Sequence, residues 1–336
     1  MDNADLEKAE SLIETMRSRF TELSQSVHQT VIGQKDIVRL LSTGLMCGGH
    51  MLMIGVPGLA KTLLVRTLAD ALGWDFRRIQ FTPDLMPSDI TGTEILQRDD
   101  SDGRRDMRFV KGPIFANLIL ADEINRTPPK TQAALLEAMQ ERAVTVGGQR
   151  HAIRPPFVVV ATQNPIEQEG TYPLPEAQLD RFMFSIEVGY PEKEDEIAIA
   201  AMPSNPAPIA APVRSSIDDW LSFIAAVESV PASRYVLEYA VSLTRATRPA
   251  DNSAPDFIRQ YLSWGVGPRC AQHLIRASKA AALMDGRPAP ETRDIRALAP
   301  SILRHRLVLN YNALGEGLSA NDIIARLLDS VREPSV

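Results

Sequence analysis

One stretch of the chain constrains the fold more than any other. A short apolar run at 51–54 is followed directly by the loop sequence GVPGLAKT and then by a helical pattern over 61–72. Further apolar runs lie near 76–81 and at 118–120, 157–161 and 182–188, and a second helical segment lies at 129–142. Apolar runs that are continuous rather than alternating are typical of a parallel sheet covered on both faces. The order of these segments therefore predicts an α/β domain in which helices sandwich a parallel sheet.

The loop after the first run matches the phosphate-binding pattern GxxxxGK[ST] at Gly55, Lys61 and Thr62, with Ala60 at its second glycine. Because such a loop opens a helix, its backbone N–H groups point at phosphate oxygens. We expect Lys61 to neutralise the β- and γ-phosphates and the Thr62 hydroxyl to bind Mg²⁺. Gly55 and Gly58 leave the loop free to bend. We expect a negative φ at Ala60, because a methyl group is acceptable there only in that conformation.

Two other predicted strands end in polar residues that suit the same chemistry. The run LILA at 118–121 leads to Asp122 and Glu123, and the run at 157–161 leads to Asn164. In α/β sheets ligands gather at the carboxyl ends of the strands. We expect Asp122 to hold Mg²⁺ through water, since Mg²⁺ keeps most of its hydration, and Glu123 to orient and activate the attacking water. The Asn164 amide suits a contact with that water or with the γ-phosphate, although an Asn-Pro turn alone would also explain it.

Composition and charge restrict the class of protein. A length of 336 residues suggests about two domains. The 44% hydrophobic and 23% charged residues exclude a disordered, collagen-like or disulfide-scaffold chain. The net charge of −6, from 36 basic and 42 acidic residues, disfavours a non-specific nucleic-acid binder. We find no apolar run of transmembrane length, no signal-peptide pattern, and no metal-spaced pairing of Cys47 and Cys270. We therefore expect a soluble cytoplasmic protein.

The chain changes character at a proline-rich stretch. Four prolines lie between 203 and 212 among Ala and Ser, which is a linker composition. A polar helical pattern at 4–27 precedes the α/β region, and helical patterns dominate after the prolines. We predict a base domain at 1–200, a linker at 201–216 and a small all-helical domain at 217–336.

Several strings resemble those of the MoxR family of AAA+ ATPases. They are DEINR (122–126), ATQNP (161–165), LPEAQLDRF (174–182), PDLMPSDITG (83–92), FVKGPIF (109–115) and WGVGPR (264–269). Family loops often read GVPGxAKT, as this one does. The resemblance covers most of the chain and implies a P-loop AAA+ core with a helical lid that hydrolyses ATP with Mg²⁺. It also implies an insert in the second helix, at 82–96, and a β-hairpin at 143–154.

The resemblance assigns roles to single residues. Asn164 is similar to sensor 1, Arg181 to the arginine finger, and Arg269 to the sensor-2 arginine, although Gly267 stands where we expect Ser. An arginine finger stabilises the transition state on a neighbour's nucleotide, so its presence implies a ring built by head-to-tail contacts. Two plain alternatives stay open, an ion pair of Arg181 with a nearby acid and a surface position for Arg269.

The complete set of predicted site residues follows from the motif and the resemblance together. The nucleotide-binding residues are Ile32 and Gly33, which with Val31 would pack against adenine, and Gly55, Val56, Pro57, Gly58, Leu59, Ala60, Lys61, Thr62 and Leu63. The catalytic residues are Glu123, Asn164, Arg181 and Arg269. The metal ligands are Thr62 and Asp122.

The resemblance also implies partners. They are five further copies in a six-membered ring, a protein with a von Willebrand A domain, and client proteins that are remodelled, matured or loaded with a cofactor or metal; no nucleic acid is expected. Three alternatives remain open: a magnesium-chelatase-like motor subunit, a nucleic-acid translocase that uses Arg150 and His151 of the hairpin, and a nucleotide-gated scaffold. The intact pair Asp122-Glu123 argues against an inactive scaffold.

Overall fold

The apolar runs form one parallel sheet. The computed structural model describes residues 3–98, 105–166, 170–202 and 216–334. Its strands are β1 (Met51–Ile54), β2 (Phe76–Gln80), β3 (Gly92–Arg98), β4 (Arg105–Lys111), β5 (Leu118–Asp122), β6 (Ala143–Val146), β7 (Gln149–Ala152), β8 (Val158–Gln163), β9 (Phe184–Glu187), β10 (Leu262–Trp264) and β11 (Val308–Leu309). Five of them pair in parallel in the order β2–β5–β8–β1–β9. The predicted α/β class is confirmed. The order places the carboxyl ends of β1, β8 and β5 side by side, which is where the sequence carries its polar residues.

Alternate residues of the central strands are buried on opposite faces of the sheet. Leu118 and Leu120 of β5 belong to one buried cluster, whereas Ile119 and Ala121 belong to another. The three valines and Ala161 of β8 alternate in the same way. Successive side chains of a strand point to opposite faces, so a strand covered on both sides has to be apolar throughout. This explains why the runs are continuous.

The helices of the base cover these two faces. They are α1 (Asn3–His28), α2 (Lys35–Met46), α3 (Lys61–Leu72), α4 (Pro87–Thr91), α5 (Pro129–Glu141), α6 (Glu176–Leu179) and α7 (Lys193–Ala200). Met16 of α1 and Leu64 of α3 are buried in one cluster, while Leu135 and Met139 of α5 are buried in the other. The sheet is thus enclosed between helices, as predicted.

Two β-hairpins project from the base and contact each other. The predicted insert at 82–96 contains α4 and most of the strand β3, which extends to Arg98 and pairs antiparallel with β4. The predicted hairpin at 143–154 consists of β6 and β7, joined by the turn Gly147–Gly148. The ring of Phe109 in β4 stacks on His151 of β7, with centroids 3.8 Å apart. This stacking joins the insert to the second hairpin.

The C-terminal part is a helical lid. Its helices are α8 (Ile217–Ser229), α9 (Arg234–Ala246), α10 (Asp256–Tyr261), α11 (Pro268–Met284), α12 (Thr292–Leu303), α13 (Tyr311–Gly315) and α14 (Ala320–Ser330). Ser216 begins α8 in a capping box, in which its hydroxyl accepts a hydrogen bond from the Asp219 N–H at 3.1 Å. The short antiparallel pair β10–β11 accompanies the helices. The predicted proline linker cannot be followed, because 203–215 lie outside the described residues.

A short 3₁₀ turn at Arg304–Arg306 joins the lid to the base. The Arg306 side chain is 3% exposed, and its Nε donates to Oδ1 of Asp180 at 2.7 Å. Arg304 forms an ion pair with Glu187 of β9 at 2.7 Å. No helix in the described ranges has the length and apolar character needed to cross a membrane.

Candidate functional site

The loop after β1 turns back on itself before α3 begins. Gly58 has φ 86°, which favours glycine. The expected negative φ at Ala60 is wrong, because Ala60 has φ 55° and ψ 20°. The methyl group raises the energy of this left-handed conformation by about 1–2 kcal/mol. In this conformation the Ala60 carbonyl oxygen accepts the N–H of Leu64 at 2.8 Å, which is the first hydrogen bond of α3.

Glycine is required at position 55 for a reason other than the flexibility expected from the sequence. It is buried, and a Cβ atom built on it would lie 2.7 Å from the carbonyl oxygen of Val188. That oxygen belongs to the residue directly after β9, and β9 pairs with β1. Glycine is needed here because two backbone segments approach closely.

Lys61 lies at the start of α3 with its amino group folded over the loop. Its Nζ donates to the carbonyl oxygens of Gly55 and of Val56, the latter at 2.7 Å. Burial lowers the pKa of Lys61 below its ordinary value, while the carboxylates of Asp122 and Glu123 act in the opposite direction. The ammonium group is thus held beside the loop amides and near two carboxylates.

Thr62 and Asp122 face each other across the loop and the end of β5. The Thr62 hydroxyl donates to Oδ2 of Asp122 at 3.4 Å. The other oxygen, Oδ1, accepts from the Thr162 hydroxyl at 2.6 Å. A hydroxyl and a carboxylate are hard oxygen donors that suit a hydrated Mg²⁺ ion, which uses few protein ligands. Across the described ranges no group of three His, Cys, Asp or Glu side chains forms a metal site.

Glu123 is the residue directly after β5, and its backbone is strained. It has φ 58° and ψ 49°, a conformation that costs a non-glycine residue of order 1–3 kcal/mol. Its N–H donates to the Thr162 hydroxyl at 2.9 Å. Its carboxylate oxygen Oε2 accepts from Gln80 Nε2 at 2.9 Å and from Arg126 Nη1 at 3.0 Å. The carboxylate is therefore held in a defined position by two side chains.

Arg78 contacts the neighbouring carboxylate. From β2, its Nε and Nη2 donate to Oδ2 of Asp122 at 2.9 and 2.7 Å, and Nη2 also donates to Oε1 of Gln80. Sequence reasoning missed both Arg78 and Gln80. A signal was available, since two polar residues at i and i+2 of a strand share one face, but only the pairing of β2 with β5 aligns Gln80 with Asp122.

Asn164 follows β8 and is 5% exposed. Its Oδ1 accepts the N–H of Ile166 at 3.2 Å. Its Nδ2 is buried and finds no hydrogen-bond acceptor among the described residues. Leaving a buried donor unpaired costs about 1–3 kcal/mol. A donor kept in this condition suits an acceptor that a bound ligand would supply.

These residues line one cavity of about 330 Å³ at the carboxyl ends of β1, β5 and β8. The lining consists of Pro57, Gly58, Leu59, Ala60, Lys61, Thr62, Leu63, Asp122, Glu123, Thr162, Gln163 and Asn164. The cavity thus combines helix-start amides, a lysine, two carboxylates, the hydroxyls of Thr62 and Thr162, and an amide donor that has no acceptor among the described residues. Such a set can bind phosphate groups with a metal ion and position a water molecule.

The predicted adenine segment lies next to this loop. Val31 is buried and Ile32 and Gly33 are half-buried. Gln34 connects the segment to the loop, since its Nε2 donates to the carbonyl oxygen of Leu59 at 3.3 Å.

The two predicted arginines lie elsewhere. The described residues that line the cavity include neither Arg181 nor Arg269. Arg269 is exposed on α11, and its Nη1 donates to Oδ2 of Asp180 at 3.3 Å. Arg181, which follows Asp180 in the chain, is half-buried, and no ion pair is seen for it among the described residues. The structure therefore places Arg269 on the carboxylate of Asp180, and neither arginine lines the cavity.

Comparison with known proteins gives concordant matches. The ATPase family associated with various cellular activities (AAA) matches residues 50–184, and the AAA lid domain family matches residues 257–327. Chaperone MoxR1 of Mycobacterium tuberculosis is 42% identical over 314 residues, which cover 92% of this chain and 81% of that protein. The uncharacterized protein YeaC of Bacillus subtilis is 41% identical over 312 residues, which cover 92% and 93% of the two chains.

Two further proteins extend the comparison. Protein MoxR of Paracoccus denitrificans is 34% identical over 319 residues, which cover 90% of this chain and 92% of that protein. The crystal structure of a candidate ATPase from Cytophaga hutchinsonii matches with a TM-score of 0.89 and 42% identity, covering 98% of this chain and 99% of its own. The likeness extends over both the base and the lid.

Proposed function

Because the chain belongs to the MoxR family of AAA+ ATPases, we propose that it binds ATP with Mg²⁺ in the cavity beside the loop and hydrolyses it. One observation carries this proposal. Lys61, Thr62, Asp122 and Glu123 line a single cavity with Asn164, whose buried Nδ2 finds no partner in the described part of the chain. Charge neutralisation and positioning are what phosphoryl transfer requires of a protein.

Each side chain has one role in this proposal. Lys61 exchanges its loop carbonyl contacts for the β- and γ-phosphates, and Thr62 with Asp122 holds the Mg²⁺ ion, which supplies charge neutralisation when bound. Asn164 donates Nδ2 to the γ-phosphate or to the attacking water. Glu123 orients that water and accepts its proton, while Gln80 and Arg126 hold its carboxylate through Oε2.

Hydrolysis is proposed to occur between subunits. Arg181 lies outside the lining of its own chain's cavity, which is compatible with the arginine-finger role that the resemblance implies, in which a neighbouring copy supplies Arg181. We propose a head-to-tail ring, with six copies as the size that the family resemblance implies. Arg269 would reach the phosphates after it leaves Asp180, which requires a movement of the lid. We expect R269A to lower kcat more than it raises the KM for ATP, whereas an equal loss in both would count against this role.

The work done with ATP is proposed to be remodelling of client proteins. The relative from M. tuberculosis is named a chaperone, and the family resemblance suggests a partner with a von Willebrand A domain and maturation or metal loading of clients. A nucleic-acid translocase receives less support. Arg150 of the hairpin is exposed but donates to the Glu141 carbonyl oxygen at 3.2 Å, and His151 is stacked on Phe109, so both side chains already have protein partners.

The test of the activity is Mg²⁺-dependent ATP hydrolysis across a range of protein concentrations. We expect the rate per subunit to rise with concentration in the wild type and to vanish in E123Q, while E123Q still binds nucleotide. E141Q is the matched control, because it makes the same chemical change at an exposed residue of α5. Hydrolysis by E123Q at the wild-type rate would refute the proposed role of Glu123.

A further inference from the structure

Arg78 belongs to β2, which lies at the edge of the sheet, yet its guanidinium reaches into the candidate site. Two of its nitrogens donate to the same oxygen, Oδ2 of Asp122, at 2.9 and 2.7 Å. The arginine side chain is 49% exposed, whereas the aspartate side chain is 10% exposed. An ordinary surface ion pair has two solvated partners. Here one partner is a buried carboxylate, and both of its oxygens also contact other side chains.

The oxygen that Arg78 contacts is the one that faces the loop. Oδ1 of Asp122 is turned to β8, where it accepts the Thr162 hydroxyl at 2.6 Å, and Thr162 also accepts the N–H of Glu123 at 2.9 Å. Oδ2 is the oxygen that lies 3.4 Å from Thr62 Oγ1. Oδ2 is therefore the oxygen that a cation held between Thr62 and Asp122 would use. Arg78 and that cation therefore compete for one oxygen atom.

We propose that Arg78 is a positioning residue that competes with Mg²⁺ for Oδ2 of Asp122, so that Mg²⁺ binding displaces the guanidinium. This inference rests on the proposed function, since it requires Mg²⁺ to enter with a nucleotide at Thr62 and Asp122. Because the arginine is half exposed, water can solvate it once it leaves the carboxylate. The competition weakens Mg²⁺ binding without blocking it.

Displacement of Arg78 has a consequence for the second carboxylate. Arg78 Nη2 also donates to Oε1 of Gln80, and Nε2 of the same amide donates to Oε2 of Glu123 at 2.9 Å. Arg78 thereby fixes which end of the Gln80 amide faces Glu123. When the guanidinium leaves, Gln80 loses the contact that orients it, and its bond to Glu123 is loosened. Arg78 in this way couples metal binding at Asp122 to release of Glu123.

The test compares nucleotide affinity with and without the metal. The affinity of a fluorescent ADP analogue is measured in Mg²⁺ and in EDTA for the wild type, R78A, R78K and R77A. The coupling ratio is the dissociation constant in EDTA divided by the dissociation constant in Mg²⁺, and it reports how strongly the metal favours nucleotide binding. R77A is the matched control, because Arg77 is the adjacent exposed arginine and pairs with Asp75 at 3.6 Å.

We expect the coupling ratio to increase about three- to tenfold in R78A, in line with the loss of one half-exposed ion pair, with its two hydrogen bonds, at the metal-binding oxygen. R77A should keep the wild-type ratio, and R78K should fall between wild type and R78A. An unchanged ratio in R78A, or an equal loss of affinity in both buffers, would overturn the inference and indicate a structural or phosphate-binding role. A wild-type affinity that is independent of Mg²⁺ would instead overturn the proposed function itself.

Discussion

Two arginines of the lid, Arg306 and Arg269, contact the same carboxylate of the base, Asp180, so their contributions to stability can be compared. Arg306 is almost fully buried, and it donates to Oδ1 at 2.7 Å and to the Phe182 carbonyl oxygen at 2.6 Å. Arg269 is 56% exposed and reaches Oδ2 at 3.3 Å. We predict that R306M destabilises the fold far more than R269M, because only the first removes a buried guanidinium and its hydrogen bonds.

The magnitude follows from burial. Removing one partner of a buried ion pair costs about 3–5 kcal/mol. Since Asp180 is 35% exposed and keeps Arg269, the lower end, about 3 kcal/mol, applies to R306M. An exposed pair contributes about 0–1 kcal/mol, which applies to R269M. Over 336 residues the unfolding entropy is about 0.7 kcal/mol per kelvin, so Tm should fall by about 4 °C and by about 1 °C or less, respectively.

Differential scanning calorimetry of the two variants and the wild type at pH 7 measures both shifts. Circular dichroism before heating checks that each variant is folded. The reasoning would be refuted by equal Tm shifts, or by a shift of less than 1 °C for R306M, because either result would mean that burial does not determine the value of these contacts.

Three more predictions follow from single contacts. Burial lowers the pKa of His50 to about 4 and that of His273 to about 3, so the unfolded chain binds more protons than the folded chain below about pH 6.5. The free energy of unfolding should therefore fall by about 1 kcal/mol per pH unit for each histidine between pH 6.5 and pH 4. A Tm that does not change from pH 7 to pH 5 would exclude this. G55A should destabilise the protein by about 1–3 kcal/mol because its Cβ would meet the Val188 carbonyl oxygen, and urea denaturation with a wild-type midpoint would contradict it. N164A should lower kcat about tenfold or more with less than about threefold change in nucleotide affinity, since the Asn164 Nδ2, which has no acceptor in the described part of the chain, is expected to act on the reacting groups. Steady-state hydrolysis and a binding titration check both values.

The position of the cavity could be predicted from the sequence. Continuous apolar runs mark strands buried on both faces, and Asp122, Glu123 and Asn164 each follow such a run. Because parallel strands end at one edge of a sheet, polar residues after neighbouring strands meet there. The loop residues and these side chains accordingly line the same cavity.

Backbone geometry and long-range contacts could not be predicted in the same way. The positive φ of Ala60 depends on the path of the loop into α3, which the residue type does not reveal. The contact of Arg78 with Asp122 requires the register of β2 on β5. The pairing of Asp180 with Arg306 joins residues 126 positions apart, and no local pattern in the chain indicates it.

The most direct test of hydrolysis at a site shared between subunits is a mixing experiment. E123Q lacks the proposed base but keeps Arg181, and R181A lacks the proposed finger but keeps Glu123. Each variant alone should be inactive, whereas a mixture should regain hydrolysis, because about one subunit contact in four combines both intact residues when copies mix at random in a ring. Co-purification of one tagged variant with the other confirms that mixed assemblies form. A mixture that forms such assemblies but stays as inactive as its components would contradict a catalytic Arg181 supplied by the neighbouring copy.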